Sequence, residues 1–151
     1  MSSILKLFTT TITSVLVAIP LSVAAHHSMS EFDRSVIEEV EGVVSKFSWK
    51  NPHILLEITR SDESGSNTIY HLEASAVSSL RRRGLTGDEI TLGDAVRIAG
   101  WPSTRRDNYI QVNHVLLPDG IELLVGGTRE PRWATDSLGG DRDVLDAERV
   151  A

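Results

Sequence analysis

Residues 53–74, HILLEITRSDESGSNTIYHLEA, contain the pattern that decides the fold of this chain. Apolar and polar residues alternate on both sides of a central polar run, which is typical of two half-buried β-strands joined by a hairpin loop. Leu56 and Ile58 share one face of the first strand, and Tyr70 and Leu72 share one face of the second. The pattern predicts an antiparallel hairpin with one face in a hydrophobic core and the other facing solvent.

Further strands are predicted on both sides of this hairpin. Residues 36–49 have the composition of a long first strand, and a β-bulge is expected at Gly42 because the apolar parity changes there. Residues 76–83 have a short helical pattern that ends at Gly84. Additional strands are predicted at residues 95–101, 109–117 and 121–125.

The order of these elements indicates a small barrel. Three strands, a helix, two strands and a short sixth strand follow one another as in an oligonucleotide/oligosaccharide-binding (OB) barrel. A bulged first strand is also typical of a sheet that curves until it closes. We therefore predict an all-β fold with one short helix, namely a small five- to six-stranded OB-like Greek-key barrel. A split β-sandwich and another kind of small barrel are the alternatives.

The first 25 residues have the pattern of a secretory signal peptide. Lys6 supplies a positive start, residues 7–19 are mainly apolar, and small residues follow. Cleavage is expected after Ala24 or after Ala25. A membrane anchor is the alternative, but the apolar stretch is shorter and richer in threonine than the span of about 20 apolar residues that crosses a bilayer.

These patterns divide the chain into three parts. We predict a signal peptide at residues 1–25, an OB-like barrel domain with an N-terminal arm at 26–127, and a flexible, dispensable C-terminal tail at 128–151. The tail is expected because regular apolar alternation ends near Val125. Export implies a periplasmic or secreted protein that is not an integral membrane protein after processing.

Composition restricts the classes of function. The 151 residues carry a net charge of −6, which argues against a nucleic-acid partner because phosphate binding needs a cationic surface. The sequence contains no cysteine, so disulfides, thiolate metal sites and cysteine nucleophiles are excluded. It contains no nucleophile–base motif, phosphate loop, zinc-protease pattern or dinucleotide fingerprint. We therefore do not predict an enzyme.

Two adjacent histidines follow the predicted cleavage point. If His26 is the first residue, its amine and ring nitrogen can chelate a metal ion, and His27 or another histidine completes the site. If Ala25 is first, the amine, two backbone nitrogens and the His27 ring can form a square-planar set that suits Cu(II) or Ni(II). His26 and His27 are therefore candidate metal ligands, with copper as the leading ion. The alternative is a polar arm whose histidines contact nothing.

The polar face of the hairpin is a second candidate site. A loop centred near Ser64 places Glu57 opposite His71 and brings His53 near Glu73. Such a face could bind a cation or donate protons. The alternative is a solvent-facing ladder of charges, since outward strand positions are usually polar.

Trp49 and Asn51 lie in the segment that precedes the hairpin. Trp49 could stack on a ligand at the barrel mouth, or it could close the core while Asn51-Pro52 forms a turn. His114 shares the parity of Ile110 and Val112, so we predict a buried histidine with a hydrogen-bond partner rather than a ligand.

Several short motifs carry a family resemblance. They include Ala25-His26-His27-Ser28, Phe32-Asp33, Gly42-Val43-Val44, Trp49-Lys50-Asn51-Pro52-His53, Leu72-Glu73, Leu80, Arg83-Gly84, Gly93-Asp94 and Pro118-Asp119-Gly120. With these motifs, residues 25–125 resemble the uncharacterised family of small exported bacterial proteins known as domain of unknown function 6152. The resemblance implies export and a small β domain, and it implies no established activity.

The combined interpretation is a small exported β-barrel that acts as a binding module. A metal ion, most plausibly copper at His26 and His27, is the expected ligand. An envelope protein-interaction or structural module without a small ligand is the alternative. A hydrolase that uses His53 or His71 is the third and least supported reading.

Overall fold

The computed structural model describes residues 31–140. The signal peptide predicted at residues 1–25 and the candidate ligands His26 and His27 lie outside the described residues. The described chain has mainly strands and one short helix. The elements are β1 (Glu38–Ser48), β2 (Leu55–Ser61), β3 (Asn67–Glu73), α1 (Val77–Arg82), β4 (Ala95–Pro102), β5 (Tyr109–Leu116), β6 (Glu122–Leu124) and β7 (Ser137–Leu138).

Five of the strands close into a barrel. β1 pairs antiparallel with both β2 and β4, β2 pairs with β3, and β4 pairs with β5. The barrel closes because β3 and β5 pair in parallel, with His71 opposite Tyr109 and Glu73 opposite Gln111. β6 and β7 extend the sheet outward from β5. The predicted OB-like barrel with one short helix is thus confirmed.

The inward side chains form a single apolar core. Leu56 and Ile58 from β2, Leu72 from β3 and Ile98 from β4 are at most 2% exposed. Leu80 of α1 is also fully buried in this cluster. Each such side chain contributes about 1.5–3 kcal/mol when it leaves water. The alternation seen in the sequence of the hairpin therefore produces the core directly.

The helix is short and stops where the sequence predicts. Gly84 follows it with a φ of +89°, a left-handed conformation that glycine adopts without strain. Among residues 31–140, no helix has the length and apolar character needed to cross a membrane.

The bulge in β1 lies at Ser45, and the prediction at Gly42 is wrong. Val44 pairs with Ile58 and Lys46 pairs with Glu57, which leaves Ser45 as the extra residue. The Ser45 hydroxyl donates a hydrogen bond to the backbone carbonyl of Glu57. Gly42 is required for another reason, because a Cβ atom there would lie 2.9 Å from the carbonyl oxygen of Thr59.

A second bulge, in β5, changes which face of the sheet the following side chains occupy. Ala99 pairs with His114 whereas Gly100 pairs with Val112, so Asn113 is the extra residue. The backbone carbonyl of Asn113 accepts the N–H of Val125. Because of this bulge, Val115 packs in the barrel core together with Ile110 and Val112. His114 is not part of that core, although the alternation in the sequence places it on the same face as Ile110 and Val112.

Residues 132–138, within the predicted flexible tail, make contacts with the barrel sheet. β7 pairs in parallel with β6, with Ser137 opposite Glu122. The N–H groups of Arg132, Trp133 and Ala134 donate to the Glu122 carboxylate. The predicted tail beyond Gly140 lies outside the described part of the chain.

Candidate functional site

The hairpin loop fixes the register of β2 and β3. Ser61 pairs with Asn67, so the loop is centred at Ser64 as predicted. The Asp62 carboxylate accepts the N–H groups of both Ser64 and Ser66, which closes the loop. These hydrogen bonds also lower the pKa of Asp62, with the Ser64 hydroxyl as the largest cause. A slip by one residue is disfavoured because it would expose the core face.

This register produces the two predicted histidine–carboxylate pairs. Glu57 lies directly opposite His71, and its Oε1 atom is 3.5 Å from the His71 Nδ1 atom. The same Glu57 oxygen accepts from Lys46 Nζ at 3.1 Å. His53 Nδ1 lies 3.4 Å from Glu73 Oε1. Each imidazole therefore has its Nδ1 atom beside a carboxylate on the outer face of the hairpin.

Tyr109 connects the two pairs. Its hydroxyl donates to Glu73 Oε2 at 2.8 Å, and its ring stacks with the His71 ring at a centroid distance of 6.4 Å. The Arg106 guanidinium lies 3.3 Å from the Tyr109 ring centroid. Burial raises the pKa of Tyr109, and the hydrogen bond to Glu73 raises it further. The phenol consequently remains a neutral hydrogen-bond donor near pH 7.

The first described residues are attached to the same part of the barrel. Glu31 and Phe32, here called the N-terminal anchor, lie along the loop between β4 and β5. Phe32 is 6% exposed and stacks with Tyr109 at a centroid distance of 6.1 Å. The Glu31 carboxylate accepts from Arg106 and Ser103, and these hydrogen bonds lower the pKa of Glu31. The anchor therefore holds the chain beside Tyr109.

A shallow hollow of about 190 Å³ lies on this face. It is lined by Lys46, Ser48, Leu55, Leu56, Glu57, His71, Leu72 and Tyr109. The hollow therefore combines three leucines, of which Leu55 is 47% exposed, with side chains of both signs of charge. The size suits a single ion with its ligands or a small polar group.

Trp49 and Asn51 do not line the hollow. Trp49 packs on Phe47 and beneath Gly87, where an added Cβ atom would lie 2.6 Å from the indole ring. The indole Nε1 is buried without a hydrogen-bond partner. Asn51 is exposed and precedes Pro52 in a cis peptide bond. Trp49 therefore closes the core and Asn51 belongs to a turn, and neither residue forms a stacking platform at the barrel mouth.

The barrel face by itself does not gather a full metal-ligand set. Within residues 31–140, no three histidine, aspartate or glutamate side chains converge in a way that could hold a metal ion. His53 and His71 pair with different carboxylates. A cation on this face would need donors from elsewhere.

A buried polar cluster that the sequence did not predict lies on the far side of β5. Glu122 is fully buried and its Oε1 atom lies 2.6 Å from His114 Nδ1. Burial raises the pKa of Glu122, but hydrogen bonds from Trp133, Ala134 and Arg132 outweigh it, so the pKa is lowered overall. His114 is thus a buried, hydrogen-bonded histidine, as predicted. The available sequence signal for its partner was one glutamate inside the apolar run at residues 121–125.

Comparison with known proteins gives one match. A model described as a family of unknown function, DUF6152, matches residues 14–110. The matched region includes His26, His27 and the Trp49–His53 block, and it ends before Pro118-Asp119-Gly120. No curated protein and no solved structure matches this chain.

Proposed function

This chain belongs to the DUF6152 family, and we propose that it is an exported binding module that holds one Cu(II) ion at its mature amino terminus. The donors are the new α-amine, His26 and His27. Residues 31–140 contain the barrel that presents this terminus. Binding rather than catalysis is proposed because the sequence contains no nucleophile–base motif.

The chemistry of the donors supports copper. An α-amine has a pKa of about 8 and an imidazole a pKa of about 6.5, so both supply nitrogen lone pairs close to neutral pH. Imidazole ligands suit Cu(II), and Cu(II) has the highest affinity among the divalent first-row metals for such sites. The amine does not exist in the precursor, so removal of residues 1–25 would create the ligand set.

The N-terminal anchor is the single observation that carries the proposal. Phe32 and Glu31 are tied to the barrel by ring stacking, by the pairing of Glu31 with Arg106, and by a bridge between Phe32 and Ser103. Only the four residues 27–30 separate His26 from Glu31. The predicted terminus therefore starts from a fixed point beside a face that carries histidines and carboxylates.

An envelope interaction module is the second candidate. Val43, Thr59 and Ile69 are register partners on the outer face of three adjacent strands. Val43 is 45% exposed and Ile69 is 47% exposed, which is unusual for a row of cross-strand neighbours on a soluble surface. This row is suited to contact with another protein.

Intact mass spectrometry of the exported protein under native conditions tests the proposal. The mass without metal identifies the first residue, which we expect to be His26 or Ala25. The mass after addition of one equivalent of Cu(II) should increase by one copper ion. A retained Met1, or a spectrum without any copper adduct, would contradict the proposal and favour the interaction module.

A further inference from the structure

We propose that Arg83 and Arg129 bind one phosphate group, as a dianion, at the corner of the domain where α1 ends. The group is either free phosphate or a phosphate monoester, and the guanidinium of Arg83 donates to two of its oxygens. Neither arginine lines the hollow beside Tyr109. The inference is therefore independent of the copper site at the amino terminus.

The guanidinium of Arg83 carries two donors that are removed from water without gaining a partner. Its Nε and Nη2 atoms are shielded from solvent, and nothing among residues 31–140 accepts a hydrogen bond from either atom. These two nitrogens form the side of the planar guanidinium that binds two oxygens of a phosphate or carboxylate group at once. A shielded charged donor without an acceptor is costly, so this arrangement points to an acceptor that does not come from the described chain.

The backbone of Arg83 is held firmly in place. Arg83 ends α1, and its N–H donates to the carbonyl oxygen of Leu80 at 3.0 Å. Leu80 is fully buried in the core, which fixes the last turn of the helix. Arg83 itself has intermediate exposure, so its guanidinium lies near the surface of the domain. An anion therefore reaches it without entering the barrel core.

The segment that follows β6 brings a second arginine to the same corner. A Cβ atom on Gly139 would lie 2.9 Å from Leu85, two residues after Arg83, and one on Gly140 would lie 3.5 Å from the carbonyl oxygen of Arg129. Burial lowers the pKa of Arg83, and the positive charge of the nearby Arg129 lowers it further. Two guanidinium groups thus share one region in which each disfavours the charge of the other.

The charges of this corner favour a phosphate dianion. One dianion balances two guanidinium charges, whereas a carboxylate balances one, and the attraction is stronger where water is excluded. The chain as a whole has a net charge of −6, which disfavours a long polyanion such as a nucleic acid. A single phosphate group is therefore the ligand that fits both the local and the overall charge.

The test is titration of the protein with inorganic phosphate at constant ionic strength, at a pH where phosphate is doubly charged. Calorimetry gives the affinity, and the NMR signals of the arginine Nε–H groups report which side chains respond. We expect one phosphate per chain and a saturable shift of the Arg83 signal. Arg83→Met and Arg129→Gln should each weaken binding by about tenfold or more.

Arg82→Gln is the matched control, because Arg82 is the exposed neighbour of Arg83 in the last turn of the same helix. It should leave the affinity for phosphate unchanged. If Arg82→Gln weakens binding as much as Arg83→Met, or if the unmodified protein binds no phosphate, the proposal is wrong. Acetate is expected to bind at least tenfold more weakly than phosphate, and equal affinities would contradict a site for a dianion.

Glycerol phosphate distinguishes the two sources of the group. Affinity equal to that of inorganic phosphate identifies a site open to monoesters, and binding of inorganic phosphate alone identifies a site for the free ion.

Thermal unfolding in phosphate-free buffer provides a second readout. Arg83→Met should not lower the melting temperature there, because it removes a shielded charge that has no partner. A fall of many degrees would mean that the chain itself satisfies the Arg83 guanidinium, which would contradict the proposal.

Discussion

The imidazole of His114 lies 2.6 Å from the carboxylate of Glu122, and both side chains are buried on the outer side of β5. Glu122 also accepts three backbone N–H groups from residues 132–134. One carboxylate thus satisfies donors from a barrel strand and from the segment that follows β6. Since buried donors without partners are costly, this cluster should control much of the stability of the domain.

Replacement of Glu122 by alanine should destabilise the protein strongly. The change leaves the buried His114 and three backbone N–H groups without their acceptor, and each buried polar group left without a partner costs about 1–3 kcal/mol. Chemical denaturation at pH 7 measures the free energy of unfolding. The control is Glu41→Ala, which removes an exposed partner of Arg97 and should cost at most about 1 kcal/mol. Equal losses for both variants would contradict the importance of the cluster.

The same carboxylate should make stability depend on acid. Its pKa in the folded state is lowered below the usual value of 4.5 by the hydrogen bonds it accepts, so the unfolded state binds protons first as the pH falls. The stabilisation by Glu122 is therefore fully present above about pH 4.5 and is lost as the pH falls through the folded pKa. Unfolding curves between pH 7 and pH 3 should show a smaller loss in a Glu122→Gln variant. Parallel losses in the two proteins would refute this assignment.

Deletion of residues 128–151 should lower the melting temperature by many degrees. It removes β7 and the backbone N–H groups that donate to Glu122. It also removes Trp133, whose ring packs edge-on against the His114 ring at a centroid distance of 5.8 Å. Deletion of residues 141–151 alone is the matched control, because it keeps every one of these contacts. An unchanged melting temperature after the longer deletion would show that the segment contributes nothing to the fold.

Substitution of Gly87 by alanine should destabilise the protein by about 1–3 kcal/mol. Gly87 has a φ of +97°, and an added methyl group would lie 2.6 Å from the Trp49 ring. Gly65→Ala is the control for backbone strain alone, because Gly65 has a φ of +81° with no atom within 4 Å of the added group. Denaturation of both variants should give the larger loss for Gly87. A similar loss for the two would mean that the contact with Trp49 is unimportant.

The hairpin shows which features the sequence could predict. The alternation around residues 61–67 determined the strands, the core face and the pairing of Glu57 with His71, because one buried face excludes other registers. The bulges at Ser45 and Asn113 could not be located this way. Each one is stabilised by a tertiary hydrogen bond, from the Ser45 hydroxyl or to the Asn113 carbonyl, that has no local sequence pattern.

Only the two histidine–carboxylate pairs of the candidate site could be predicted from the sequence. Glu57 with His71 and His53 with Glu73 follow from cross-strand spacing within one hairpin. The contribution of Tyr109 and Phe32 depends on barrel closure and on the attachment of the N-terminal anchor, which are long-range contacts. Residues 132–138 carry no apolar alternation, so their sequence favours a flexible tail, yet the backbone N–H groups of residues 132–134 donate to the Glu122 carboxylate.

The proposed function depends on a free α-amine beside His26 and His27. Calorimetric titration with Cu(II) of the mature protein, beside the same protein with its α-amine acetylated, tests it most directly. We expect one copper ion per mature chain and at least a tenfold weaker affinity, about 1.4 kcal/mol, after acetylation. Equal affinity of the two proteins, or no binding by the mature one, would contradict a copper site built on the processed terminus.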